Sequence, residues 1–367
     1  MIDALTLINF KCFEHQEIAL GGLTLLAGMN GMGKSSVLQG LLVLRQSVWD
    51  RRLPGTGLLL NGHLIRMGMV HDVLYQHAQK DEIALHLKAS GSELGWRFKA
   101  SNADSDVLEV IESPEALPEL SVFGASFQYL AAERIGPRDL YETSDYHVNQ
   151  RRDLSADGAY AVAFLDAHGG DIVSEPLRHP QADTSSLAAQ TNAWLGEVSP
   201  GVRLYAHRNR VLNRAYMNVD FVTGKAVSGL YRPSGVGFGI SYTLPVLLAV
   251  LSARPGSLVL IENPEAHLHP RGQVAMGRLF AHAAAAGIQV IVETHSDHLL
   301  NGVRLAVKHA AIPPGSVRVH YFTRASETIR TVHRVVSPRI DRDGRINEWP
   351  DGFFDQWDRA LDELLAT

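Results

Sequence analysis

With 367 residues, 46% of them apolar and 20% charged, the chain has the make-up of ordinary globular material, which excludes a disordered or low-complexity polymer. A formal net charge of −5 and a pI near 6.4 exclude a uniformly basic coat and leave room only for a local basic groove. The single cysteine, Cys12, excludes an internal disulfide framework and any cysteine-based zinc module.

Residues 1–20 alternate like a strand pair, with strands expected at 4–10 and 17–20. They lack a basic n-region ahead of an apolar h-region, and no apolar run in the chain reaches ~18 residues, so the expectation is a soluble cytoplasmic protein with no membrane partner. Residues 21–27, GGLTLLA, read as a buried strand, and residues 35–48 carry apolar side chains at helical spacing. Between them GMNGMGKS, residues 28–35, fits the P-loop pattern G-x-x-x-x-G-K-[ST]. Gly28, Gly31 and Gly33 let the backbone turn its N–H groups toward phosphate oxygens with no Cβ in the way. The expected nucleotide set is Asn30, Gly31, Met32, Gly33, Lys34, Ser35 and Ser36, with Lys34 on the β- and γ-phosphates and Ser35 on Mg²⁺.

From residue 57 to about 126 short alternating segments such as EIALHLKA and LGWRFKA predict antiparallel strands, and residues 131–200 hold charged loops and short helices punctuated by prolines. Residues 202–222 alternate again. PSGVGFGIS, residues 233–241, opens an apolar helix and offers a second anion cradle through Ser234, Gly235 and Gly237. In SLVLIENPEAHLHP, residues 257–270, four apolar residues end in Glu262, the position of an acid that holds Mg²⁺ through water. IQVIVET then ends in THS, which puts His295 where a side chain could sense a γ-phosphate.

In this order the P-loop, the S-G-x-G helix start, the acid-ended strand and the THS turn resemble the ATPase heads of the ABC/SMC/OLD superclass over nearly the whole chain. YLAAERIGPR, IENPEAHLHPRGQ, ETHSDHLLNGVR and INEWPDGFFDQ are similar to short bacterial AAA-type ATPases related to the OLD family, whose tail carries a small domain of unknown function. The resemblance implies an α/β P-loop NTPase of ABC/SMC-head type, with a mixed central sheet, an antiparallel β lobe at about 57–126 and a helical insertion at about 139–200. The ATPase domain would span 1–336 and the appendage 337–367. It further implies ATP and Mg²⁺ as cofactors and a homodimer or higher homo-oligomer in which Ser234 and Gly235 of one subunit close on the γ-phosphate of the other. Anti-phage defence or DNA maintenance beside a separate effector or nuclease is the implied setting, with an ATP-driven DNA clamp or an ATP-binding scaffold of little turnover as alternatives.

One position departs from the superclass. Where an Asp-Glu pair is usual the chain has Glu262-Asn263, and an amide can position water without taking its proton. Glu265, two residues on, is the other candidate for the water-activating group. Several further groups have plainer readings. His267, His269, His282, His295 and His298 read as local pairs in a histidine-rich chain, and Asp341 and Asp343 as a solvated turn rather than a nuclease centre. Arg203, Arg208, Arg210 and Arg214, interleaved with Tyr205 and Tyr216, read equally as a phosphate-tracking stripe or as a solvated or protein-facing surface. Arg134 and Arg138 belong to a motif of the resembled family without a derivable role, and Gln128 and Gln76 compete as a Mg²⁺-proximal glutamine.

Overall fold

The computed structural model describes residues 1–326 and 331–365. Two compact units emerge: Met1–Phe127 with Arg318–Arg339 and Glu348–Thr367, and Gln128–Val317 with Ile340–Asn347.

The first unit opens with β1 (Ala4–Phe10), β2 (Phe13–Ala19), β3 (Leu23–Gly28) and α1 (Lys34–Trp49), followed by β4 (Leu58–Leu59), a single turn α2 (Val70–Val73), β5 (Glu82–Ala89), β6 (Ser92–Lys99) and β7 (Val107–Glu112). The second strand begins four residues earlier than the alternation suggested, because Lys11 takes a left-handed φ of 54° and closes a tight turn before Phe13. β1 and β2 thereby join the expected antiparallel lobe, giving an all-antiparallel sheet in the order β2-β1-β5-β6-β7-β4. α1 lies against β1, and Gly40 makes the close approach possible: a Cβ there would sit 2.8 Å from Leu7 Cδ2. Leu38, Leu41, Leu42 and Leu44 of α1 are fully buried, so the helix is fixed along its length by core contacts and holds the loop at its N-terminus in place.

The second unit contains β8 (Phe127–Leu130), α3 (Ala161–His168), α4 (Leu187–Val198), β9 (Val202–Asn209), β10 (Arg214–Thr223), β11 (Ala226–Val227), α5 (Phe238–Leu251), β12 (Leu258–Glu262), α6 (Pro270–Ala285), β13 (Gln289–Thr294) and α7 (Asp297–Lys308). β12 and β13 run parallel with Glu262 opposite Glu293, and every residue of β13 is buried, as expected for a strand covered on both faces. α6 and α7 cross through facing glycines. A Cβ on Gly277 would lie 2.2 Å from Leu299 O and one on Gly302 the same distance from Val274 O, so the crossing requires bare backbone on both helices.

The chain then returns to the first unit through β14 (Val317–Ser326) and β15 (Thr331–Val336), which pair antiparallel, and ends with α8 (Gln356–Leu365). β14 lies between β15 and β3. Parallel and antiparallel strand pairs, an antiparallel lobe and inserted helices make the chain α/β.

Candidate functional site

In the first unit the loop after β3 has the backbone its sequence demands. Gly28, Gly31 and Gly33 adopt φ of 140°, 74° and 102°, conformations that side-chain-bearing residues avoid. Gly28 also has no room for a Cβ, which would fall 2.4 Å from Phe322 O, and one on Gly33 would fall 2.7 Å from both Cys12 Sγ and the Phe13 ring. Gly33 caps α1 without a side-chain hydrogen bond, so the positive end of the helix dipole faces the loop with no side chain over it. Asn30 and Gly31 are exposed at the mouth. Lys34 is 3% exposed, with Nζ donating to Met29 O at 2.8 Å, so its ammonium is stored within the loop it would serve. Met32 and Ser36 are buried, Ser36 Oγ lying 3.9 Å from Cys12 Sγ, and burial pushes the Cys12 thiol pKa up. This cradle fits a phosphate chain: open space at Gly31, a helix N-terminus and one cation.

In the second unit the acids at the end of β12 meet partners from far upstream. Tyr129 Oη donates to Glu262 Oε1 at 2.8 Å, and the Ala132 N–H approaches Glu262 Oε2 at 3.3 Å. Arg134, 3% exposed, donates to the carbonyls of Ala131 (2.9 Å), Glu262 (2.7 Å) and Asn263 (2.7 Å), with its guanidinium 5.3 Å from the centre of the Tyr242 ring. Asn263 takes a left-handed φ of 44° that turns the chain out of the strand. Glu265 comes back underneath: Oε1 accepts the His295 N–H at 2.6 Å, tying the turn after β12 to the turn after β13. His295 itself is exposed, and Ser296 caps α7 by accepting the Leu299 N–H.

Burial governs the electrostatics here. It raises the carboxyl pKa of Glu262 against the opposing pull of Tyr129, Ala132 N–H and Arg134, and it raises that of Glu265 against the His295 N–H, its own backbone N–H, the Thr294 hydroxyl and Arg134. Burial also lowers Arg134 to about 10, an effect offset in part by Tyr242, Glu265 and Glu262, so the guanidinium stays charged at neutral pH. Tyr129 moves up, first through burial and then through Glu262, and remains a hydrogen-bond donor. Asn263 Oδ1 and Glu265 Oε2 are buried with no hydrogen-bond partner among the described residues, two acceptors of the kind a bound water satisfies.

The serine–glycine segment is also present in the second unit. Ser234 Oγ donates to Asp139 Oδ1 at 2.7 Å and Arg232 pairs with the same carboxylate at 3.5 Å, while Gly235 and Gly237 face open space ahead of α5. Of the other candidates, Gln128 has both ends of its amide engaged, by Arg152 O and the Leu154 N–H, and Gln76 is bonded to His77. His267 packs against Tyr242 and Phe238, and His269 caps α6. Asp341 accepts the N–H groups of Asp343 and Arg345 in a tight turn. Among the described residues no group of three or more His, Cys, Asp or Glu side chains could hold a metal ion, and no helix is long and apolar enough to cross a membrane. Tyr129 and Asp139 are side chains of the candidate site that no motif in the sequence singles out. Tyr129 lies inside the phrase YLAAERIGPR, but no spacing in the sequence links it to an acid 133 residues away.

Segments of the chain match three family models: residues 4–47 match "AAA domain", residues 203–301 match "AAA domain, putative AbiEii toxin, Type IV TA system", and residues 312–364 match "Protein of unknown function (DUF3696)". An 87-residue stretch is 36% identical to the DNA double-strand break repair Rad50 ATPase of Saccharolobus solfataricus, covering 23% of this chain and 9% of that protein's length. Among solved structures, the SmcHead bound to the C-winged helix domain of ScpA aligns over 93% of this chain and 98% of its own at 14% identity, with a TM-score of 0.53. The Smc head domain with an extended coiled coil, bound to the C-terminal domain of ScpA derived from Pyrococcus furiosus, aligns over 100% and 99% at 12% identity, with a TM-score of 0.54. These likenesses establish an ABC/SMC-head type of ATPase fold, with the mixed sheet, antiparallel lobe and helical insertions expected.

Proposed function

We propose that the chain is an ATP-binding, ATP-hydrolysing switch that dimerises head to head and regulates a separate effector in anti-phage defence. The observation that carries the reading is the glycine-built loop at the start of α1, with three left-handed glycines, a glycine N-cap and a stored lysine. The AAA-domain matches, one of them to a model that names the AbiEii toxin, support the nucleotide and the defence setting. The Smc heads, solved with ScpA, support a fold that takes a separate partner.

Asn30 to Ser36 would hold the phosphates, with Lys34 exchanging Met29 O for phosphate oxygen and Ser35 taking Mg²⁺, and in the second unit Glu262 is the candidate acid for Mg²⁺. Bound Mg²⁺·ATP supplies the cleavable anhydride. The chain's own part is to place water and accept its proton. Asn263 Oδ1 orients the water, and Glu265 Oε2 takes the proton, because its sister oxygen is already fixed by the His295 N–H and its raised pKa brings it nearer the pH at which a base works best. Ser234 and Gly235 would close on the nucleotide of a second copy, so that ATP favours the dimer by as much as it prefers the closed state. A second reading, an ATP-dependent DNA clamp, is favoured by the Rad50-like stretch alone.

The experiment is phosphate release by the purified chain beside Lys34→Ala and Glu265→Gln, with mass distribution followed in ATP and Mg²⁺. Lys34→Ala should abolish turnover. Glu265→Gln keeps the acceptor for the His295 N–H but removes the base, and should slow turnover by about 10²- to 10⁴-fold with ATP still bound. Undiminished turnover in Glu265→Gln removes that residue from the mechanism, and a mass distribution indifferent to ATP overturns the switch.

A further inference from the structure

The arginine-rich segment of residues 202–222 is a hairpin, and its geometry divides the cluster that looks uniform in sequence. Arg203 is neutralised: Nε and Nη2 grip the two carboxylate oxygens of Asp220 at 2.8 and 2.7 Å. Arg208, Arg210 and Arg214 are exposed and make no ion pair among the described residues. Asp145, an acid whose carboxyl feels Arg208, is itself engaged by Asn149 and Gln150.

Strand register sorts the remaining side chains by face. Val202, Leu204, Met217 and Val219 point into the core, and the alternate residues form an outward row of Tyr205 opposite Asn218, His207 opposite Tyr216, and Asn209 opposite Arg214. The His207 and Tyr216 rings lie 5.1 Å apart, inclined at 33°, and Tyr205, an exposed ring, stands one step further from the tip. Beyond the row, at the tip itself, Val211 is 95% exposed and Leu212 56% exposed, beside Arg210. Arg208, opposite the buried Ala215, alternates onto the other face and acts on Asp145, whereas Arg214 closes the outward row and Arg210 stands at the tip; in a protein with a net charge of −5, two guanidiniums without an ion pair among the described residues adjoin the exposed aromatic row, a local reversal of charge.

We infer that the outward face of the β9–β10 hairpin is a docking surface for single-stranded nucleic acid. Flat rings on a pleated face accept unpaired bases by stacking, whatever their sequence, and guanidiniums at one end of the row meet the phosphates that join those bases. An acidic protein would satisfy the arginines but not the rings, and a lipid surface would satisfy the tip but not the row behind it. The surface lies wholly in the second unit and involves none of the nucleotide-binding loop, so it stands whether or not the chain hydrolyses ATP.

The test is fluorescence anisotropy of labelled oligo(dT) with the full chain, without nucleotide, across a salt series. Binding at low salt should weaken with a log–log slope of about −1.4, the value for two phosphate contacts on a single strand. Tyr205→Ala and Tyr216→Ala should each weaken binding by about tenfold with the slope unchanged, and the combined Arg210→Glu, Arg214→Glu variant should lose it. Lys34→Ala should bind as the parent does, which separates this surface from the ATPase reading. Unchanged melting temperatures confirm that the exposed substitutions leave the fold intact. The inference is overturned by absence of binding at low salt, by binding that survives the double reversal, by preference for a duplex of equal length, or by Val211- and Leu212-dependent binding to anionic vesicles without binding to the oligonucleotide.

Discussion

The loop after β3 works with backbone and empty space, whereas the cluster after β12 works with buried charge. The loop needs residues that lack side chains, and its single cation is parked on a neighbouring carbonyl. The strand-end cluster holds two carboxyls of raised pKa and a guanidinium of lowered pKa, kept in place by hydrogen bonds to main-chain atoms. The first arrangement is damaged by adding atoms and the second by removing them.

The largest effect expected from breaking that contrast is at Arg134. Replacing it with Met keeps much of the volume but leaves the carbonyls of Glu262 and Asn263 without their donor and Glu262 and Glu265 without their counter-charge. Removing one partner from a buried charge cluster typically destabilises by about 3–5 kcal/mol. Urea unfolding of the full chain should show a loss of that size. A change below about 1 kcal/mol would mean that the carboxyls have simply taken up protons, and the cluster would then be less dependent on its cation than its geometry suggests.

At the loop the corresponding change is Gly28→Ala. One methyl would meet Phe322 O at 2.4 Å in a backbone conformation, φ 140°, that alanine resists, so the β3 end and β14 must separate. Overpacking of this kind is worth about 1–3 kcal/mol. Gly31→Ala is the internal control, because its φ of 74° is also left-handed but nothing lies within 4 Å of the added carbon. Urea midpoints should therefore fall further for Gly28→Ala than for Gly31→Ala. Equal losses would assign the glycine requirement to φ alone and remove close packing from the account.

The same contrast explains what the sequence makes legible. The P-loop is readable because its chemistry lies in consecutive residues, and glycines at that fixed spacing before Lys-Ser mark backbone that must turn without a Cβ. β12 and β13 are readable because strands buried on both faces spell continuous apolar runs. Arg134 over the β12 turn is not, since only folding brings residue 134 to residues 262 and 263, and a buried arginine has the same letter as an exposed one. The hairpin arginines show the limit in a single segment: Arg203 and Arg210 look alike in sequence, yet one is bound to Asp220 and the other stands in solvent. β1 and β2 teach a related lesson, because the strand pair is legible while its membership of the antiparallel lobe depends on β5, more than seventy residues away.

The smallest expected effect concerns the support behind the loop in the first unit. His320 is 2% exposed on β14, two residues before the Phe322 carbonyl that confines Gly28. Its Nε2 lies 2.7 Å from Ala19 O, which fixes the proton there, so Nδ1 accepts from Ser337 Oγ at 2.8 Å. Burial lowers its pKa below 6.5, only partly opposed by the Ala19 carbonyl, and Arg318 lowers it further. Between the lowered folded value and 6.5 the unfolded chain binds more protons than the folded one, so this histidine's contribution is present above pH 6.5 and is lost as pH falls through that window. His320→Gln should be less stable than the parent by about 1 kcal/mol at pH 7.5, the worth of an imperfectly replaced hydrogen-bond pair. The gap should narrow as pH drops toward 5, because only the parent must then protonate a buried ring or unfold to do so. A gap in urea midpoint that stays constant between pH 7.5 and 5 would show that His320 does not titrate with unfolding, and would leave packing against β2 as its whole contribution.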